Sequence, residues 1–231
     1  MVKRRMLVSA LLAAGGLGGC FDVSSTNLLV IDNFNNDDLQ PTDPAFEGWS
    51  CRAVNGPGID VSCGRDTNDT QDGSLASMRL DLAVMDPPDG LQQHGGAALE
   101  TNVKTTPPTA PVDFTRYGRI AFDLKLQSAG ETPLPIDALV YVELGCSTVL
   151  PERSERHDVY VSQGVPYSTV WHNYALTIVN FGPPASLLEP IMGGPQACLR
   201  RVDRLSFSID AQLPDGKPGG AVLRVDNVVL E

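Results

Sequence analysis

Five stretches of this chain alternate apolar and polar residues one by one, and this period of two constrains the fold more than any other feature. Leu205-Ser206-Phe207-Ser208-Ile209-Asp210 is the cleanest, and residues 78–84, 120–126, 139–144 and 174–179 read the same way. Successive side chains of an extended chain point to opposite faces, so each stretch predicts a strand with one face buried. Clusters of Pro, Gly and Asp at 86–90, 105–111, 182–184 and 214–220 separate them and predict loops and hairpin turns. No long stretch has helical spacing, although residues 197–205 have room for one short helical turn. Many half-buried strands with turn-rich joints predict an all-β fold, an antiparallel β-sandwich. Near the end the alternation slips: Leu223 and Val225 share one parity, Val228 and Leu230 the other. A one-residue phase change at Asp226-Asn227 predicts a β-bulge.

The net charge of −11 over 231 residues makes a surface that repels phosphate backbones, which argues against a nucleic-acid partner. With 42% hydrophobic and 19% charged residues, the chain has the means to build a core.

The first twenty residues carry an address. Lys3, Arg4 and Arg5 form a basic start, and Met6 to Gly19 is apolar and small apart from Ser9. This run is too short for a spanning helix and suits a signal peptide. It ends Leu17-Gly18-Gly19-Cys20, which resembles the bacterial lipobox. The resemblance implies cleavage after residue 19, lipidation of Cys20 and a membrane anchor of several acyl chains. A plain secretory signal with a chance cysteine is the alternative. Residues 1–19 are then the signal peptide, 20–27 a short polar tether and 28–231 a single domain. Phe21 directly after the cysteine, in place of Asp, leans the anchor towards the outer membrane rather than the inner.

Four further cysteines remain: Cys51, Cys63, Cys146 and Cys198. An even number in an exported chain reads as disulfides, with three pairings open. The short, turn-rich loop Asn55-Gly56-Pro57-Gly58 favours Cys51–Cys63, leaving Cys146–Cys198. Metal binding is the alternative, but there is no CxxC and no cluster of histidines.

Five segments, in order, carry a resemblance. The domain opens Leu28-Leu29-Val30-Ile31-Asp32-Asn33-Phe34-Asn35. Gly73 to Leu80 follows, then Asp113-Phe114-Thr115-Arg116-Tyr117-Gly118-Arg119-Ile120-Ala121-Phe122, then Trp171-His172-Asn173-Tyr174 with Phe181. The domain closes Leu223-Arg224-Val225-Asp226-Asn227-Val228-Val229-Leu230. This series resembles the galactose-binding-like jelly rolls, especially carbohydrate-binding modules of the family 11 and CIA30-like kind, over residues 28–231. The resemblance implies a jelly-roll sandwich with its first and last strands side by side. It also implies a structural calcium held there by Asn35, Asp226 and the carbonyls near Asp72 and Gly73. Asn35 stands where the family often has Glu, which removes one carboxylate. The plain alternative is that Asp226 and Asn227 only make the bulge and cap backbone groups.

A carbohydrate site needs aromatic faces and polar groups. Trp49 and Trp171 fall where core or sheet-edge packing is expected. Phe122, Phe207 and Tyr174 have buried parity, and Tyr117 packs where its strand starts. Tyr141, Tyr160 and Tyr167 remain as stacking candidates. Tyr141 and Glu143 share the parity opposite to Val140, Val142 and Leu144, as Asp123 and Lys125 do on their own strand. Arg153, in the charged loop 151–158, is placed near them. The candidate ligand-binding set is therefore Tyr141, Glu143, Arg153 and Tyr160. Ordinary solvated strand faces are the alternative. No G-x-S-x-G or H-E-x-x-H is present, His94, His157 and His172 fall in separate segments, and His94 reads as a loop residue. The expectation is a non-catalytic protein whose partner is a glycan or an envelope protein.

Overall fold

The computed structural model describes residues 28–54, 59–84, 94–104, 111–129, 139–146, 160–184, 191, 193–212 and 219–231. Eleven strands are described: β1 (Leu29–Asp32), β2 (Ser50–Val54), β3 (Ile59–Asp66), β4 (Ser77–Val84), β5 (His94–Asn102), β6 (Arg119–Ser128), β7 (Leu139–Gly145), β8 (Tyr160–Pro166), β9 (His172–Thr177), β10 (Arg204–Gln212) and β11 (Gly219–Leu230). They form two antiparallel sheets. One has the order β3-β4-β11-β6-β9, with β1 also pairing β11; the other has the order β2-β5-β10-β7-β8. The single described α-helix, α1, covers Pro195–Leu199, so it starts two residues before the region 197–205 where a helical turn was expected and overlaps only its first three residues.

The five alternating stretches all lie in strands, with one shortening. β9 ends at Thr177, and Ile178–Asn180 is a 3₁₀ turn that drives Ile178 into the core while Val179 faces solvent. Three expected loop residues are strand instead. His94 opens β5, and Gly219-Gly220 opens β11. Gly220 has a local reason to be glycine: a Cβ there would lie 2.7 Å from the Leu82 carbonyl oxygen of β4.

The apolar faces of the two sheets close on one core. Phe122 of β6 meets Phe207 of β10 edge-on at 5.0 Å, and Phe207 is followed by Trp49 at 6.3 Å and Phe34 at 5.5 Å from Trp49. Such tilted and edge-on pairs suit ring quadrupoles. Trp49 is a core residue, and its indole N–H donates to Asp32 Oδ2 at 2.7 Å. Burial pushes the Asp32 carboxyl above its ordinary value, against the pull of the donors from Phe34, Trp49, Thr42 and Asn33.

Two disulfides pair as the sequence favoured. Cys51–Cys63 ties the edge strand β2 of one sheet to the edge strand β3 of the other, and Cys146–Cys198 ties α1 to the end of β7. Both point to an oxidising compartment. No helix among the described residues is long and apolar enough to cross a membrane. The signal region, Cys20 and the tether lie outside the described residues.

Candidate functional site

Two places bring sequence-predicted site residues together. The first is where the chain ends meet. β11 pairs with β4 through residues 219–225 and with β1 through residues 228–230, while β6 runs along its other side. The strand must change partner between these spans, and the register slips between Asp226 and Val229. Asn227 takes a left-handed φ of 50° and Phe34 one of 51°, conformations unusual for residues other than glycine. The bulge expected at Asp226-Asn227 is therefore the hand-over point.

The gap left there is filled by the turn Gln71–Ser74, closed by Ser74 N donating to Gln71 O at 2.9 Å with Gly73 at φ 87°. Asp226 is fully buried: one carboxylate oxygen accepts from Asn227 N at 2.8 Å, and Oδ2 is buried without a hydrogen bond. Burial pushes its carboxyl up to about 6, against the pull of the nearby Ser74 hydroxyl and the N–H groups of Asn227 and Gln71. Asn35 Oδ1 accepts from Leu75 N at 2.8 Å and from the Ser74 hydroxyl at 3.4 Å. Asn35 and Asp226 are thus gathered around Ser74, and the Asn33 carbonyl lies 3.4 Å from the same hydroxyl. Asp72 is exposed on the turn. The donors are all oxygen, as calcium requires, but only one is a carboxylate.

The second place is the outer face of the five-stranded sheet. Register sets its rows. Tyr160, Gly145, Arg204 and Asn102 form one; Ser162, Glu143, Ser206, Glu100 and Ser50 the next; Gly164, Tyr141, Ser208, Ala98 and Arg52 the third. Tyr141, Glu143 and Tyr160 therefore share one face, as their parity predicted. Arg153 and the rest of the loop 151–158 lie outside the described residues. Asp123 and Lys125 have the same outward parity but belong to the other sheet. Tyr167 is half-buried against the core and is not a stacking residue of this face.

The face is graded across its width. On the central strands β5 and β10, Ala98, Glu100, Arg204, Ser206 and Ser208 are all buried although they point away from the core. On the β7–β8 side, Gly164 and Leu139 are exposed, and Tyr141, Glu143, Tyr160 and Ser162 are half-buried. Glu143 joins the two zones. Its carboxylate accepts from the Ser208 hydroxyl at 2.6 Å and the Ser206 hydroxyl at 3.1 Å. Glu100 receives Arg52 Nε at 3.4 Å. Burial pulls the Arg204 guanidinium below its ordinary value, while the charges of Glu100, Glu143 and Asp203 pull it back up. Among the described residues of these rows, Arg52 and Arg204 stand with Glu100 and Glu143.

Sequence reading missed Arg52, Glu100, Arg204, Ser206 and Ser208 as parts of this face. The period within β10 was visible, but the strands beside it follow from long-range register. Gly145 and Gly164 were missed as well. A Cβ at Gly145 would lie 3.0 Å from Arg204 Nε, so the guanidinium lies over the β7 backbone.

The two antiparallel sheets and the paired terminal strands define a jelly-roll sandwich. Two solved structures share it. One is the family 11 carbohydrate-binding module of the cellulosomal cellulase Lic26A-Cel5E of Clostridium thermocellum. It has a TM-score of 0.53 at 15% identity, over 90% of this chain and 95% of that one. The other is the family 11 module from Clostridium thermocellum in complex with a β-1,3-1,4-mixed-linked tetrasaccharide. It has a TM-score of 0.54 at 16% identity, over 88% of this chain and 94% of that one. At these identities the likeness is one of fold. No protein-family model matches the sequence, and no curated protein matches it.

Proposed function

We propose that this chain is a non-catalytic carbohydrate-binding protein of the cell envelope, and that glycan lies along the β7–β8 side of the five-stranded sheet. The observation that carries the reading is the combination there of a half-buried tyrosine ring, Tyr141, with the carboxylate of Glu143 on the next outward pair of the same face. Sugar rings offer C–H faces to an aromatic ring and hydroxyls to a carboxylate, so this pairing suits them. A neighbour of the same fold was solved with a mixed-linked tetrasaccharide, which makes β-1,3-1,4-linked oligosaccharides the first ligands to try. The lipobox-like Leu17-Gly18-Gly19-Cys20 supports a lipid anchor, with the outer membrane as the preferred location.

Calcium at the junction of β1 and β11 is part of the same proposal. Asp226 and Asn35 would hold it, with the carbonyls near Asp72 and Gly73, and it would neutralise the buried Asp226 carboxylate and fix the hand-over of β11. A rise in the thermal midpoint on adding calcium to chelator-treated protein supports this, and an unchanged midpoint overturns it.

The functional test is a glycan array probed with the full chain, with neutral β-linked oligosaccharides included. Retention that is lost on Tyr141→Ala supports the reading. Silence across the array, with an envelope protein recovered by cross-linking in intact cells, overturns it in favour of a protein-interaction module. Turnover of an arrayed glycan overturns the non-catalytic part.

A further inference from the structure

We propose that Gly164 is a positioning residue of the carbohydrate site: the absence of its side chain lets Tyr141 lean across β8 and form, with Leu139, one apolar strip for the C–H face of a pyranose. This role rests on the carbohydrate reading above.

Glycine in the middle of a strand weakens it, so its presence needs a cause. The backbone does not supply one, because Gly164 is not among the glycines with left-handed φ. The space above it does. A Cβ at position 164 would lie 3.1 Å from Leu139 Cδ1, 3.2 Å from Tyr141 Cε1 and 3.4 Å from Tyr141 Cδ1. Two side chains of β7 therefore crowd the place where a side chain of β8 would stand, and would have to shift by a few tenths of an ångström to admit one. Register explains why they meet there: Tyr141 pairs with Gly164, and Leu139 pairs with Pro166, the next outward pair.

Gly145 uses the same device to a different end. It makes room for Arg204, and the result is a fully buried cation. Gly164 is exposed, so the ring above it is held low against the sheet at the side that solvent reaches. A larger residue at 164 would lift the ring off the strand and break the strip. Glu143 and Ser162 are the next outward pair, and the Glu143 carboxylate, held by Ser206 and Ser208, borders the strip on the β10 side. A sugar lying on Tyr141 and Leu139 would present its ring hydroxyls to that pair.

The test is a double-mutant cycle on the full chain, with binding to the glycan that the wild type retains most strongly on an array of neutral oligosaccharides. Gly164→Val should weaken binding about tenfold, as should Tyr141→Ala, and the double variant should bind no worse than Tyr141→Ala alone. Valine favours strands, so the thermal midpoint of Gly164→Val should not fall. A purely structural role would lower it. The geometry has its own readout: in the wild type the Gly164 Hα resonances should be displaced by the Tyr141 ring current, and Tyr141→Leu should return them.

Wild-type affinity in Gly164→Val, or penalties that add in the double variant, overturns the positioning role while the carbohydrate reading stands. Hα resonances that do not move in Tyr141→Leu overturn the geometry directly. A wild type that retains no glycan overturns the carbohydrate reading, and the role of Gly164 with it.

Discussion

The two sheets turn outer faces of opposite design to their surroundings. On the six-stranded sheet, three cations meet three carboxylates. Arg224 donates to Asp66 at 3.0 Å and lies 3.5 Å from Asp69; Lys125 donates to Asp69 at 2.8 Å; Arg79 binds Asp81 through two nitrogens. Gln127 accepts from Arg224, the Trp171 indole donates to Asp69, and Asn173 and Asn227 both donate to Asp123. Asp69 comes from the segment after β3, which lays its carboxylate over the sheet. On the five-stranded sheet, the outward residues of β7 and β8 are two tyrosines, a leucine, a proline, a serine, a carboxylate and two glycines. The first face spends its polar groups on itself; the second does so only towards β5 and β10, where Ser206 and Ser208 donate to Glu143 and Arg52 to Glu100, and leaves an apolar strip near solvent at the β8 edge. A polar network fully occupied with itself specifies a fold, and only the other kind of face has capacity left for a ligand.

The sharpest way to break this contrast is Arg224→Leu. Arg224 and Asp66 are both nearly buried, so removing the cation leaves the carboxylate with only the Asn68 N–H and Arg79 at 3.6 Å and should destabilise the fold by about 3 kcal/mol in chemical denaturation. Glycan binding by the folded fraction should be unchanged. pH sharpens the result. Burial raises the Asp66 carboxyl, but the Asn68 N–H, the Arg224 hydrogen bond and the charges of Arg224 and Arg79 outweigh it and hold the group below its ordinary value. A depressed carboxylate contributes stability that is full above its unfolded value of 3.8 and is lost as pH falls through the folded one. The gap between wild type and Arg224→Leu should therefore be widest near neutrality and narrow below about pH 4. A gap that does not change with pH would show that Arg224 acts through packing rather than charge.

Close to it in size is the link between the faces. Replacing Cys51 and Cys63 together by serine opens a 12-residue separation and should remove about 3 kcal/mol. The bridge holds the β2 and β3 edges, whereas the proposed glycan strip lies at the opposite edge of the five-stranded sheet. Affinity measured well below the melting transition should not move. If affinity falls with stability, the ligand reaches across the sheet to Arg52. Tyr141→Ala has the opposite signature. It should cost about tenfold in glycan affinity, near 1.4 kcal/mol, with little effect on unfolding.

Much of this contrast was written locally in the chain, and the rest could not be. Alternation marked Tyr141 and Glu143 as outward, and it marked the phase slip at Asp226-Asn227, because both are properties of one strand read alone. β5 escaped because Gly95-Gly96-Ala97-Ala98 offers no contrast between apolar and polar positions. Asp123 and Lys125 had the right parity, but parity does not say which sheet a strand joins. The partners that decide each face are far apart in sequence: Lys125 with Asp69 across 56 residues, Arg224 with Asp66 across 158, Ser208 with Glu143 across 65. Glycine is the extreme case. Gly164 has no side chain to read, and its meaning comes from the Tyr141 and Leu139 atoms above it.

The smallest effect separates two arginines of one network. Arg79 makes shorter bonds than Arg224, with Nη2 2.6 Å from Asp81 Oδ1, so geometry alone would rank it higher. Exposure reverses that rank. The Arg79 and Asp81 side chains are 39% and 38% exposed, and water competes for both before and after folding. Its second partner, Asp66, is buried but 3.6 Å away and keeps Arg224 when Arg79 is gone. Arg79→Gln should therefore cost less than about 1 kcal/mol, and that cost should shrink as salt is raised, because exposed pairs are screened. The Arg224→Leu penalty should hardly respond to salt. If Arg79→Gln proves as damaging as Arg224→Leu, the six charges act as one unit, and burial of the Arg224–Asp66 pair is not what makes this face rigid.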